Sequence, residues 1–185
     1  LLQSEVLRGC EIVLVDRDAK ALETIGNLAN WLNTAWGCEK TISTYSHHKQ
    51  ALDHADFVIS AIEVPPREKL WQQDYEITLK YGVRQPYAEN GGPGGFAHAA
   101  RNVLPVLDIV YDMEAQCPDA WFINFTNPMQ RIWALIRRYS QIKDVGLCHQ
   151  LGAGYAMAAK ALANDLGLPP GGDFVSTHAV IPNQA

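Results

Sequence analysis

Short apolar runs and stretches of helical period alternate along the whole chain. Residues 11 to 15, Glu-Ile-Val-Leu-Val, form an apolar run ending at Asp16, the pattern of a strand buried in a parallel sheet. From 19 to 36 the period becomes helical, with Leu22, Ile25, Leu28 or Ala29, Leu32 and Trp36 on one face and Gly37 as the stop. A strand is predicted over 41 to 45, a short helix over 48 to 54, and a further buried strand over 56 to 62, which Pro65 and Pro66 break. Residues 67 to 81 predict a helix, followed by the loop Glu89-Asn90-Gly91-Gly92-Pro93-Gly94-Gly95. A long helix is expected over 96 to 116, kinked at Pro105 because proline removes an interior hydrogen bond. A strand over 120 to 125 leads to a helix opened by Pro128, and a strand over 144 to 148 leads to a helix over 151 to 166 that stops at Gly167. Such alternation predicts an α/β fold, a doubly wound parallel sheet of Rossmann type covered on both faces.

Composition narrows the function classes. A length of 185 residues suits one full core, with room for a fragment of a second domain. Hydrophobic residues make up 48%, yet no window reaches the roughly 18 consecutive apolar residues of a membrane span, so no membrane partner is expected. A net charge of −5 provides no basic stripe, which argues against nucleic acid and for a small-molecule ligand. Cys10, Cys38, Cys117 and Cys148 form no CxxC pair, and nothing at the N-terminus resembles a secretion signal, so a reduced, cytoplasmic setting is expected.

Ligands of open parallel sheets bind outside the carboxyl ends of the strands, so the residues ending each strand are the candidates. Asp16 either accepts hydrogen bonds from an adenosine ribose, favouring NAD, or caps the helix that begins near Ala19. The Gly-rich turn that should precede such an acid by about twenty residues is absent, because only fifteen residues come before it. A missing first strand and turn are expected to explain the gap. At the next strand end, Ala61 and Ile62 would let backbone approach a nucleotide closely, although packing explains small residues as well. The glycines from 91 to 95 precede a helix whose free N–H groups could face an anion, but no Walker GKS or GKT occurs, so they are read as a substrate-side or connecting loop. The strand end Asn124-Phe125-Thr126-Asn127-Pro128 holds more polar groups than capping requires; Asn127 could be a helix cap, and Asn124 could not. Cys148, followed by His149, pairs a soft donor with an imidazole, suited either to a divalent transition metal or to ordinary burial of the thiol.

Taken in order, Ile12 to Asp16, Ala55 to Ile59, Lys80 to Val83, Gly92 to Gly95, Cys117 to Trp121, Asn124 to Met129 and Gly146 to His149 resemble the family 4 glycoside hydrolases, relatives of the lactate and malate dehydrogenases. The resemblance covers roughly residues 8 to 168, and its last three segments are the specific ones. It implies an NAD-binding domain over 1–150, N-terminally incomplete, and the start of a substrate and metal domain over 151–185. It also implies a reaction outside the paired-carboxylate scheme: NAD⁺ takes a hydride from C3 of the sugar, a base removes the acidified C2 proton, and the glycosidic bond breaks by elimination. Water then adds and the hydride returns, while a divalent metal, usually manganese, holds the C2 and C3 oxygens.

By the same resemblance Cys148 is a metal ligand, His178 the second ligand about thirty residues on, Asn127 a contact to sugar hydroxyls, and Asn124 and Asp16 face the cofactor. Ser176-Thr177-His178 departs from the usual Gly-x-Asn-His, and Arg67 occupies the region of a substrate-binding arginine. His149 stands where members acting on 6-phosphorylated sugars more often carry Asp, which favours an unphosphorylated α-galactoside, α-glucoside or hexuronide over a 6-phospho-glycoside. The base is expected beyond residue 185, so the chain alone is expected to be inactive and, at full length, homo-oligomeric. Asn124, Asn127 and the Cys148 thiolate are expected to meet beside the nicotinamide. Two other classes compete: a 2-hydroxyacid dehydrogenase, for which no convincing arginine pair and Asp–His relay is visible, and a non-catalytic nucleotide-binding module. The remaining histidines, His98 among them, are read as surface or packing residues, and the five tryptophans as core or subunit contacts.

Overall fold

In the computed structural model, which describes residues 1–85 and 91–165, strands and helices alternate as expected. β1 (Glu11–Val15) runs parallel to β2 (Thr41–Tyr45), with Ile12 opposite Ile42 and Val15 opposite Tyr45. Parallel neighbours need a crossover, which α1 (Ala19–Ala35) supplies. Asp18 starts that helix by accepting hydrogen bonds from the Lys20 and Ala21 amides at 2.9 and 3.0 Å. Gly26 lets α1 lie close on β2, since a Cβ there would meet the Thr44 methyl at 3.0 Å.

A second parallel sheet has the order β3 (Phe57–Ser60), β4 (Trp121–Asn124), β5 (Lys143–Gly146), with Ser60 opposite Asn124 and Asn124 opposite Gly146. α2 (Arg67–Lys80) and α3 (Gly92–Gln116) connect β3 to β4, and α4 (Met129–Tyr139) connects β4 to β5. Leu1–Gly146 form one compact unit; the second begins at Leu147 and contains α5 (Gln150–Leu162).

The strands therefore fall into two hydrogen-bonded sheets rather than one. β1 and β3 each pair along one edge only among the described residues. Their apolar side chains, expected to be buried, are partly open to solvent: Val15 is 41% exposed, Phe57 61% and Ile59 47%. A strand is buried only when neighbours and helices cover it.

The core lies over the second sheet. Val106, Val110 and Met113 of α3 and Ile132 and Ile136 of α4 are fully buried around Phe122 of β4, with Leu52, Cys117, Ala120 and Ile142 completing the cluster. Each such aliphatic side chain contributes roughly 1.5–3 kcal/mol on leaving water. The tryptophans do not build this core. Trp31, Trp36, Trp121 and Trp133 are all exposed, because the helical stripe that buries α3 and α4 is aliphatic.

Some boundaries also move. α3 begins at Gly92, ahead of the expected start, and continues through Pro105. The segment expected as a helix over 48 to 54 is only a 3₁₀ turn, His48–Gln50. That turn is clamped to α3, with the Asp112 carboxylate receiving His48 at 2.6 Å and Lys49 at 3.1 Å. Although burial pushes the Asp112 carboxyl up, its hydrogen bonds to His48 and Lys49 outweigh that and hold it below the usual carboxylate range. No helix among the described residues is long and apolar enough to cross a membrane.

Candidate functional site

The carboxyl ends of the strands are fixed by short polar turns. Asp16 follows β1 and accepts the Asp18 amide at 2.8 Å, while Asp18 performs the capping of α1. The capping explanation for Asp16 is thereby removed, and its exposed carboxylate keeps acceptor capacity at the strand end. After β3, Ala61 is exposed and the Ile62 amide donates to the Thr126 hydroxyl at 3.0 Å. Thr126 is also 3.0 Å from the Ser60 hydroxyl, and the Phe125 amide donates to the Ser60 carbonyl at 2.7 Å. Two neighbouring strand ends are thus tied into one unit.

Asn124 serves that unit from within. Its side chain is fully buried, accepting from the Thr126 amide at 3.1 Å and donating to the Thr126 carbonyl at 3.2 Å. This closed Asx turn is why Asn124 is polar without being a helix cap. Asn127 is not the cap either, since Pro128 holds that position at α4. Its carbonyl accepts from Asn102 Nδ2 at 2.9 Å.

Asn102 leads to a polar cluster under this loop. Glu63 receives His98 Nε2 at 3.0 and 3.2 Å, Asn102 Nδ2 at 3.1 Å and the Val64 amide at 3.2 Å. The Val64 amide also reaches Asn102 Oδ1 at 3.2 Å. His98 is 1% exposed and meets the Trp71 ring edge-on at 5.6 Å, and the Arg67 guanidinium stacks on Trp71 at 5.2 Å. Arg67 is itself half exposed, in the first turn of α2. Reading the sequence missed Glu63, His98 and Asn102. The available signal was periodicity, because 98 and 102 continue the buried stripe 106, 110, 113 of α3 with polar residues.

The glycine-rich start of α3 is built for close approach. A Cβ at Gly92 or Gly94 would collide with the Gln85 amide, whose Oε1 lies 3.5 Å from the Gly94 N. Arg101 on the same helix pairs with Asp74 of α2 at 3.0 Å, fixing the two helices together.

In the second unit, Cys148 is an exposed free thiol with the Gln150 amide 3.5 Å from its sulfur, and His149 is an exposed residue at the start of α5. Cys148 lies in the loop after β5, which ends at Gly146, rather than on the strand as expected. An accessible sulfur next to an imidazole is chemically suited to a borderline divalent cation. No group of three or more metal-binding side chains comes together among the described residues, and His178 lies outside them. For NAD the fit rests on Asp16, an accessible carboxylate at a strand's carboxyl end, and on the small Ala61 beside it in function at β3.

Residues 1–165 match the family described as Family 4 glycosyl hydrolase. The alpha-glucosidase of Erwinia rhapontici is 40% identical over 154 residues, covering 83% of this chain and 34% of that protein. The alpha-galactosidase of Bacillus subtilis (strain 168) is 39% identical over 150 residues, covering 81% of this chain and 35% of that protein. The 6-phospho-beta glucosidase of Thermotoga maritima, solved with manganese, NAD+ and glucose-6-phosphate, superposes with a TM-score of 0.71 at 25% identity, covering 90% of this chain and 39% of that one. The chain spans about a third of the length of the curated relatives it matches.

Proposed function

The chain belongs to the family 4 glycosyl hydrolases, and from that membership we propose that it forms the NAD-binding side, with part of the sugar and metal side, of an enzyme that hydrolyses an unphosphorylated α-glycoside. The sugar is an α-galactoside, α-glucoside or hexuronide. The observation that carries the reading is Asp16, a strand-end carboxylate that Asp18 relieves of capping.

In this reading Asp16 accepts hydrogen bonds from the adenosine ribose, and the turn at Ala61 and Ile62 lets the nucleotide lie against backbone. Thr126 holds the Ile62 amide, so that turn keeps its shape without a ligand. Asn124 shapes the floor of the cofactor side through its closed turn, and Asn127 offers both a donor and an acceptor to sugar hydroxyls. Arg67 and His149 contact the sugar, and Cys148 with His178 would hold the metal. Bound there, NAD⁺ would supply a reversible hydride acceptor and a divalent cation such as Mn²⁺ a Lewis acid. The catalytic base is assigned to no residue of this chain. Homo-oligomeric assembly and a cytoplasmic location belong to the same proposal.

The test assays the full-length enzyme with p-nitrophenyl α-galactoside and α-glucoside. Cleavage that needs both NAD⁺ and Mn²⁺, with no net NADH, is the expected result. Net NADH formed from malate or lactate, without glycoside cleavage, would instead identify a 2-hydroxyacid dehydrogenase. The likeness to a 6-phospho-beta glucosidase favours a phosphorylated glycoside as the second reading, and faster cleavage of the 6-phosphate substrates would select it.

A further inference from the structure

The cluster of Glu63, His98 and Asn102 has no part in the core described above, yet it occupies the buried face of α3. Glu63 as a carboxylate can only accept, so the proton in the contact belongs to His98 Nε2. Nδ1 of the same ring is then left buried with no hydrogen-bond partner among the described residues. Asn102, fully buried, spends both donors and its acceptor, on Glu63, the Asn127 carbonyl and the Val64 amide. Three apolar side chains would remove that unpartnered nitrogen, but they would strip the Val64 amide and the Asn127 carbonyl of these partners. A polar node kept at that cost must hold something in register.

What it touches shows what is held. Through Asn102 it grips the Asn127 carbonyl, and through His98 it packs on Trp71, which carries the Arg67 guanidinium. The cofactor-side turn is held differently: Ile62 is anchored by Thr126, outside the cluster. We propose that Glu63, His98 and Asn102 form a positioning triad that sets Asn127 and Arg67 for the sugar and leaves NAD⁺ binding alone. The triad rests on the reading of Asn127 and Arg67 as sugar contacts.

The test titrates the full-length enzyme with methyl α-D-galactopyranoside, methyl α-D-glucopyranoside and NAD⁺, comparing His98→Phe, Asn102→Leu and His98→Gln with wild type. His98→Gln keeps an N–H donor toward Glu63 and serves as the conservative rescue. Expected for His98→Phe and Asn102→Leu is sugar affinity weakened about tenfold, as for loss of one hydrogen bond to a charged group, with NAD⁺ affinity within about twofold. His98→Gln should bind sugar nearly as wild type. Equal losses for sugar and NAD⁺, no loss of either, or failure of His98→Gln to rescue overturns the triad. Should His98→Phe not fold, Glu63→Gln removes the charge at constant volume and is judged by the same split. If wild type binds neither glycoside, the galactoside and glucoside readings are what fail, and hexuronide or 6-phosphate glycosides take their place in the titration. The triad is then decided by hydrogen exchange over residues 62–67 and 125–131: faster exchange in Asn102→Leu but not in His98→Gln supports it, and unchanged exchange in both overturns it.

Discussion

The half of the molecule built on β3, β4 and β5 seals a continuous apolar cluster from water, whereas the half built on β1 and β2 buries few of its apolar side chains. Around Phe122 the aliphatic residues of α3 and α4 are sealed from water. On α1, by contrast, Leu22 and Gly26 are the buried residues, while Ile25, Leu28 and Trp31 are exposed. Both halves have the same strand and helix pattern in sequence. They differ in what lies alongside: β4 has a strand on each edge and β1 only on one, among the described residues. Burial is thus a property of neighbours, and the polar cluster of Glu63, His98 and Asn102 sits in the half that can hold it rigid.

Truncation should break this comparison most sharply. Phe122→Ala is expected to cost about 3–5 kcal/mol in urea unfolding, the range for a fully buried aromatic. Thr126→Val comes next, at about 1–3 kcal/mol, because it leaves the partly buried Ile62 amide without its acceptor. Weaker NAD⁺ binding measured on the same variant would sharpen its assignment to the cofactor side.

Two carboxylates in the well-packed regions should move stability in opposite directions. The Asp144 side chain on β5 is fully buried, with Arg137 3.6 Å away and no hydrogen bond to either oxygen. Burial pushes its carboxyl up, beyond what the Arg137 charge offsets. The folded state therefore holds this proton more tightly than the unfolded chain, and stability falls as pH rises through the raised value. Asp144→Asn should stabilise by about 1 kcal/mol at neutral pH, an advantage that chemical denaturation should show vanishing in acid. Asp112 has the reverse sign. Its carboxyl is held down, so its contribution is present above the ordinary carboxylate range and lost as pH falls through the lowered value. Asp112→Asn should cost about 0.5–1 kcal/mol at neutral pH and little at low pH, read from the same denaturation series. Smallest of all, Ile25→Ala on the open half should change stability by about 0.5 kcal/mol or less. A loss as large as that of Phe122→Ala would mean that α1 is covered in the working protein.

Much of this was legible in the residues. The switch from apolar runs to helical periods placed β1 to β5 and α1 to α5 but misjudged 48 to 54, which is only a 3₁₀ turn, and the strand-end rule pointed to Asp16, Asn124 and Asn127. Where that reading fell short, the cause was tertiary. An apolar run such as Phe57 to Ser60 announces a strand but not whether both edges are paired. The turn that the Asn124 amide closes on Thr126 was not legible, because such a turn leaves no mark in spacing. Glu63 and His98 are 35 residues apart, so only the packing of β3 against α3 reveals them as partners.

Metal binding at Cys148 is the most direct test, because the proposed function assigns a divalent cation to that sulfur. Mn²⁺ titration followed by electron paramagnetic resonance should show affinity falling about tenfold or more in Cys148→Ser, in line with the loss of a ligand. Equal Mn²⁺ affinity in wild type and Cys148→Ser would contradict the account.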